Sequence, residues 1–176
     1  MSANNQARVF VSLADEDRKW LDRLRKRLDL LERQGVLASW DNTRILPGKS
    51  VRTERQMALA ATKLAVLMLS PDFVASDQIA TEDLPALLEA AERGEIELLP
   101  VLVRPCLYKM VPGLQDLKPF NTRPLADMTA SEADALLDQV VQSAAERLVP
   151  QVARAAPPPS NPALTQPQPP SPVTKT

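Results

Sequence analysis

The run KLAVLML, residues 63–69, has six apolar residues in succession and leads directly into Ser70 and Pro71. A strand with one solvated face alternates apolar and polar residues, so a run without alternation predicts a strand covered on both faces. A serine followed by a proline is typical of a helix N-cap and the first helical position. The segment therefore predicts a buried strand that passes directly into a helix, as in α/β folds.

Strand and helix signals alternate on both sides of this run. The alternation predicts a flavodoxin-like three-layer α/β fold, with a five-stranded parallel sheet and helices on both faces. The predicted strands are residues 8–12, 36–40, 63–69, 96–103 and 123–128. The predicted helices are residues 15–34, 50–61, about 84–91 and 131–149, with a short helical turn after Ser70.

Ligands of parallel α/β sheets bind beyond the carboxyl ends of the strands, where the strand order reverses. In this chain that edge is expected to carry the loops after Ser12 and Ser70. The loop after Trp40 is expected to close over them. A candidate site is therefore predicted among these three loops.

Composition divides the chain into one domain and two extensions. Residues 7–150 carry the strand and helix signals, and residues 1–6 are expected to be a flexible N-terminus. Residues 151–176 are expected to be a disordered tail, because they are rich in proline and poor in large apolar residues. Two interpretations of this tail remain open, an inert extension or a segment that docks on an SH3- or WW-like groove.

Charge, hydropathy and cysteine usage limit the expected partners and the expected location of the protein. The formal net charge is −1, which favours neither nucleic acid nor an anionic membrane as a partner. No apolar stretch approaches the roughly 20 residues that span a bilayer. The first residues lack the basic and apolar regions of a secretory signal, and Cys106 is the only cysteine. The expected location is therefore cytoplasmic.

The chain contains no histidine, which excludes a Ser-His-Asp relay and any His-ligated metal site. A single cysteine likewise excludes a thiolate zinc site, so no metal site is predicted. Neither of the glycine-rich phosphate-binding motifs occurs. An enzyme built from this chain must therefore work with carboxylates, lysine, tyrosine, hydroxyl groups or backbone dipoles.

Three segments of the sequence carry a resemblance to a known family: VFVSLADED (9–17), WDNTRILPG (40–48) and SPDFVASDQIATEDL (70–84). In order and spacing they resemble the characteristic boxes of TIR domains, especially the bacterial type, over roughly residues 7–149. The second segment matches the BB loop of that family, through which TIR domains contact one another. By this resemblance, the contact residues are Ile45, Pro47 and Gly48.

Many TIR domains cleave NAD⁺, whereas others act only as scaffolds. In the cleaving members a glutamate lies four residues after an aromatic on the helix that follows the third strand. By position that glutamate is Glu82, and Gln78 takes the place of the aromatic. The resemblance implies NAD⁺ as a substrate and no separate cofactor. The implied substrate-binding positions are Leu13, Ala14, Asp41, Arg44 and Gln78.

One carboxylate is enough for this reaction, because the nicotinamide of NAD⁺ already carries the positive charge and leaves as a neutral molecule. A single carboxylate can stabilise the oxocarbenium-like ribose electrostatically or as a nucleophile. Leu13, Ala14 and Gln78 depart from the family pattern of aromatic and polar residues. The lost stacking surface is worth about 1 kcal/mol for each aromatic.

The resemblance leads to two hypotheses and a set of expected partners. The first is an NAD⁺ hydrolase that acts on self-association, in bacterial defence or signalling. The second is a catalytically inactive interaction module in signal transduction. Either protein is expected to associate with copies of itself and with a separate sensor protein. A receiver domain shares the sheet topology but needs an aspartate where this chain has Leu69 and Ser70.

Simpler interpretations of the individual residues also remain. An acid in the first turn of a helix complements the helix dipole without any catalytic role, which is the alternative for Glu82. Asp83 and Asp77 are interpreted as a solvated neighbour and a cap. Arg44 is expected either to bind a phosphate of the dinucleotide or to be a surface charge.

Overall fold

A computed structural model describes residues 7–155, with side chains through residue 149. A parallel sheet of four strands in the order β2-β1-β3-β4 forms its middle layer. The strands are β1 (Arg8–Ser12), β2 (Ala38–Trp40), β3 (Thr62–Leu69) and β4 (Glu97–Leu102). The helices are α1 (Arg18–Arg33), α2 (Val51–Ala60), α3 (Pro71–Ala75), α4 (Leu84–Glu92) and α5 (Ala130–Ala155). This is the predicted α/β fold with one strand fewer.

Strand β3 is buried on both faces, as its unbroken apolar run predicts. Leu64, Val66 and Met68 pack into a core that α1 and α5 cover. The alternate residues of the strand, with Leu67 and Leu69 among them, pack into a second core beneath α2, α3 and α4. The side-chain period of two along a strand thus divides one apolar run between two cores.

The predicted fifth strand, residues 123–128, is wrong. Within the described residues this segment contains a 3-10 helix, Leu125–Asp127, instead. Pro124 has no N–H to donate to a strand ladder. The Asn121 side chain takes the place of a neighbouring strand, because it accepts from Leu102 N at 2.9 Å and donates to Leu102 O at 2.8 Å. A side-chain amide therefore covers part of the β4 edge.

Two predicted helix starts are confirmed by their caps. Ser50 Oγ accepts from Thr53 N at 3.3 Å, and Ser70 Oγ accepts from Phe73 N at 3.1 Å. These bonds satisfy backbone N–H groups that have no partner inside the helix. The caps fix where the chain leaves the BB loop and where it leaves β3.

The end of the domain differs from the prediction. Helix α5 extends to Ala155 rather than to Val149, so the first residues of the predicted tail are helical. The predicted flexible N-terminus, residues 1–6, and the remainder of the tail, residues 156–176, lie outside the described residues. The division into domain and extensions therefore stays a prediction at both ends.

Candidate functional site

Two adjoining clefts open at the carboxyl edge of the sheet. The inner cleft, about 270 Å³, lies between the loop after β1 and the segment after β3, and includes Leu13, Ala14, Asp72 and Gln78. The BB-loop cleft, about 530 Å³, lies beneath residues 45–49 of the loop after β2. Asp15, Asn42 and Gln78 line both clefts. The larger cleft falls within the range of about 300–1,000 Å³ that is usual for small-molecule sites.

The clefts bring together most of the residues singled out in the sequence. Leu13, Ala14 and Gln78 line the inner cleft. The three predicted contact residues of the BB loop, Ile45, Pro47 and Gly48, line the BB-loop cleft. Gly48 has φ +84°, a left-handed conformation that favours glycine and shapes the loop at this point.

Asp41 and Arg44 lie at the base of the BB loop and face α1. The buried Asp41 carboxylate accepts from Thr43 N at 2.9 Å and from Arg25 Nη2 at 2.5 Å. Arg44 pairs with Glu32 and Asp29 of α1, each at 3.2 Å. Both side chains therefore hold the loop against α1 and line neither cleft.

Glu82 lies on a π-helical turn, Ile79–Asp83, that precedes α4. Its side chain is 48% exposed and lines neither cleft, and its Oε2 lies 3.7 Å from Nη1 of Arg55. Arg55 belongs to α2 and lines the BB-loop cleft. The cation beside Glu82 is therefore Arg55, whereas sequence reasoning considered only Arg44.

The π-helical turn places residues five apart, rather than four apart, on the same side of the backbone. Gln78 and Asp83 are five apart, and both lie against Arg55. The Gln78 side-chain amide lies against the guanidinium of Arg55, and with its oxygen oriented toward Arg55 it accepts from Nη2 at 3.3 Å. Asp83 Oδ1 lies 3.2 Å from Arg55 Nε. The wide turn thus points two side chains at one guanidinium.

The interpretation of Asp83 as a solvated neighbour is wrong, because the residue is only 2% exposed. Burial raises the pKa of the Asp83 carboxyl to about 6, the Arg55 charge opposes that rise, and the Glu82 charge adds to it. Among the described residues, Asp83 Oδ1 and Arg55 Nε have no hydrogen-bond partner. Nor does Asp77 act as the cap, since Ser76 Oγ accepts from Ile79 N at 3.4 Å.

Arg55 also reaches the start of the BB loop, where its Nη2 donates to Asn42 Oδ1 at 2.6 Å. Its side chain is 3% exposed, although it belongs to a helix whose other charged residues are more exposed. One buried guanidinium therefore contacts the BB loop, Gln78 and the two consecutive acids, Glu82 and Asp83.

A third buried carboxylate, Asp17, is connected to the inner cleft through Arg104 and Asp72. It accepts from the Ser70 hydroxyl through one oxygen, and from Arg104 Nη2 at 3.0 Å and Nε at 3.2 Å through the other. Arg104 also pairs with Asp72, which lines the inner cleft. This network ties the loop after β1 to the ends of β3 and β4.

The charges around the two clefts differ in sign. Acidic side chains line the inner cleft, at Asp15, Glu16 and Asp72. Arg18, Lys49 and Arg55 line the BB-loop cleft, where they outnumber the one acid, Asp15. The lining therefore favours an anionic ligand group beneath the BB loop and a cationic group in the inner cleft.

A family model described as a TIR domain matches residues 9–158, and the chain belongs to that family. This agrees with the order of the three sequence boxes and with the α/β architecture. Among the described residues, the structure contains no helix that is both long and apolar enough to cross a membrane.

The chain is also similar in sequence to a known bacterial protein. The chain is 29% identical over 142 residues to uncharacterized protein y4lF of Sinorhizobium fredii, and the match covers 80% of this chain but 44% of that protein. The chain thus spans less than half the length of that relative.

Two solved structures are among those to which the chain is similar. The TIR domain of the Toll-related Receptor TRR-2 from Hydra magnipapillata has a TM-score of 0.44 and 20% identity, covering 78% of this chain and 97% of that one. The TIR domains of the activated Roq1 resistosome have a TM-score of 0.47 and 18% identity, covering 85% and 96%.

Proposed function

We propose that this TIR domain hydrolyses NAD⁺ at the bond between nicotinamide and ribose, with Glu82 as the catalytic carboxylate. The observation that supports this proposal is an exposed carboxylate, Glu82, that lies 3.7 Å from a buried arginine, Arg55, which itself lines the BB-loop cleft. The family includes members that catalyse this reaction. A role in bacterial defence or signalling is part of the same proposal.

The chemistry requires only groups that this chain has. The C–N bond breaks with its electron pair passing to the pyridinium, so nicotinamide leaves neutral and positive charge develops on the ribose. Glu82 stabilises that charge. A water molecule then bonds to the anomeric carbon and loses a proton, which gives ADP-ribose. Attack by another nucleophile of the same molecule would give a cyclic product instead.

The two clefts suit different parts of the dinucleotide. Arg18 and Lys49 of the BB-loop cleft complement the negative charge of the pyrophosphate. Leu13, Ala14 and Ile79 provide an apolar wall in the inner cleft, beside acidic residues that suit the nicotinamide cation. The Glu82 carboxylate is linked to both clefts through Arg55 and Gln78.

Self-association through the BB loop is part of the proposed mechanism. Leu46, Val51 and Met57, in and after this loop, are 66%, 52% and 61% exposed. Apolar side chains grouped on a surface favour a protein contact. Docking of this loop on a second copy would order the BB-loop cleft, so specific activity is expected to rise with protein concentration.

The test is nicotinamide release from NAD⁺ by the full chain over a series of protein concentrations. Glu82→Gln is expected to abolish release, because the neutral amide cannot stabilise the ribose cation. Glu89→Gln is the matched control, since Glu89 is an exposed acid on α4 that pairs with Arg93. Release that persists in Glu82→Gln would overturn the assignment of the catalytic residue.

A non-catalytic interaction module is the second candidate. Leu13 and Gln78 in the inner cleft offer no aromatic face for a base, and the exposed apolar residues of the BB loop suit a docking surface. Light scattering that shows self-association, combined with no nicotinamide release at any concentration, would favour this candidate over the enzyme.

A further inference from the structure

Arg55 is an unusual residue for the middle of a ten-residue helix, because its charged group is buried rather than solvated. The guanidinium contacts Asn42 of the BB loop, Gln78 and Asp83 of the π-helical segment, and Glu82 at its exposed edge. These contacts join two parts of the site, the BB loop and the π-helical turn.

Stability alone does not account for this arrangement. Burying an ion pair carries a desolvation penalty that a well-packed apolar pair would avoid. The facing atoms, Arg55 Nε and Asp83 Oδ1, lie 3.2 Å apart but make no hydrogen bond within the described part of the chain. A pair that is both buried and incompletely bonded lowers the stability of the fold. Its role is therefore expected to be to hold the neighbouring side chains in a fixed geometry.

We infer that Arg55 and Asp83 are the positioning pair of this site. Asp83 holds the guanidinium from the core side, and the guanidinium in turn fixes the Glu82 carboxylate and the start of the BB loop through Asn42. This inference rests on the proposed function, since the group being positioned is the proposed catalytic carboxylate. It also supplies a route by which docking of the BB loop reaches Glu82.

Asp83 lines neither cleft, and the Arg55 side chain is 3% exposed with its guanidinium facing Asp83 and Glu82, so both residues are expected to act on the rate rather than on substrate affinity. Neither has to touch NAD⁺ in order to move Glu82, and a shift of about 1 Å in a reacting group reduces turnover by about 100-fold. Arg55→Lys keeps the charge but loses the planar fork that contacts several partners at once. Its kcat is therefore expected to fall by about 10- to 100-fold while KM changes by less than about threefold.

A double variant separates positioning from folding. Arg55→Met or Asp83→Asn alone leaves an unpaired polar or charged partner in the core, whereas Arg55→Met/Asp83→Asn removes both charges together. The double variant is expected to melt within a few degrees of the wild type and to lose kcat as Arg55→Lys does. Arg93→Lys is the matched control, because Arg93 is an exposed arginine paired with Glu89 and Glu95.

Hydrogen–deuterium exchange gives a readout that needs no turnover. Asn42→Ala is expected to raise exchange in residues 79–83 severalfold, since Arg55 is the group that links the BB loop to that turn. A folded double variant with wild-type kcat, or unchanged exchange in residues 79–83 on Asn42→Ala, would overturn the inference. Raised exchange in Asn42→Ala, together with a wild type that releases no nicotinamide at any concentration, would retain the coupling and reject the enzymatic function.

Discussion

Asp17 and Asp83 are both buried aspartates beside an arginine near the carboxyl edge of the same sheet, yet their surroundings differ. Both oxygens of Asp17 accept hydrogen bonds, one from Ser70 and the other from Arg104. Asp83 faces Arg55 without a hydrogen bond to its Oδ1 in the described part of the chain. A buried carboxylate that is fully bonded stabilises the structure around it, whereas one that is not destabilises its own charged form.

The two aspartates also connect different parts of the domain. Asp17 links the loop after β1 to residues at the ends of β3 and β4, which are parts of the rigid sheet. Asp83 links α2 to the π-helical turn, and through Arg55 to the BB loop. Substitution of Asp17 is therefore expected to unfold the edge of the sheet, and substitution of Asp83 to alter the site.

The largest effect is expected from Asp17→Ala. The change leaves Arg104 with one carboxylate partner fewer and leaves the buried Ser70 hydroxyl without its acceptor. Loss of one partner of a fully buried pair costs about 3–5 kcal/mol, and because Arg104 is 34% exposed the free energy of unfolding is expected to fall by about 3 kcal/mol, the lower end of that range. Denaturant titration measures it, with Asp15→Ala as the exposed control. Equal stability of both variants would remove the contrast between Asp17 and Asp83.

The next largest effect is expected in the pH dependence of the unfolding free energy, to which Asp83 contributes. The folded-state pKa of about 6 exceeds the ordinary aspartate pKa of 3.8, so between these values the folded protein binds more protons than the unfolded chain. The contribution of Asp83 to the free energy of unfolding therefore falls by about 3 kcal/mol in total as pH rises from about 4 to about 6. The penalty is absent below the lower pKa and complete above the higher one. The charges that act on Asp83 are Arg55 and Glu82.

The measurement compares the unfolding free energies of the wild type and Asp83→Asn at a series of pH values from about 4 to 7. As pH rises, the unfolding free energy of Asp83→Asn is expected to increase relative to that of the wild type, because asparagine carries no charge to bury. A difference that stays constant with pH would show that Asp83 titrates at an ordinary pKa and is not confined beside Arg55.

Several of these features were predictable from sequence and others were not. The apolar run of β3 and the Ser50 and Ser70 caps depend on local patterns, and the structure confirms them. The predicted fifth strand was wrong because Pro124 and the Asn121 side chain decide the outcome, and those effects depend on the neighbouring strand.

The site was harder to predict than the fold. The segment IATED suits an ordinary helix as well as a π-helical turn, since no residue type in it requires the extra residue. Arg55 resembles the other charged residues of α2 in sequence, and only packing against the π-helical turn shows that it is buried. Its contacts with the BB loop and the π-helical turn could have been found from sequence only by knowing which residues meet in space.

A smaller effect is expected from Gln78→Phe, which places an aromatic face in the inner cleft. Gln78 is exposed and lines both clefts, so the ring has room. Stacking of a base on such a ring is worth about 1 kcal/mol, so KM for NAD⁺ is expected to fall by about fivefold. Steady-state kinetics measure it, and Gln78→Leu controls for loss of the bond to Arg55. An equal KM in both variants would exclude stacking at this position.

The smallest effect is expected from Arg44→Ala. Arg44 faces α1 rather than either cleft, so this variant serves as a comparison for the arginines that pair with Asp17 and Asp83. Its partners Asp29 and Glu32 are partly exposed, so the pairs are screened by water and salt. The free energy of unfolding is therefore expected to fall by no more than about 1 kcal/mol, with KM for NAD⁺ unchanged. Denaturant titration at low and high salt, together with kinetics, measures both quantities. A severalfold rise in KM would show that Arg44 leaves α1 to bind the dinucleotide, and that the BB loop moves further than its contact with Arg55 allows.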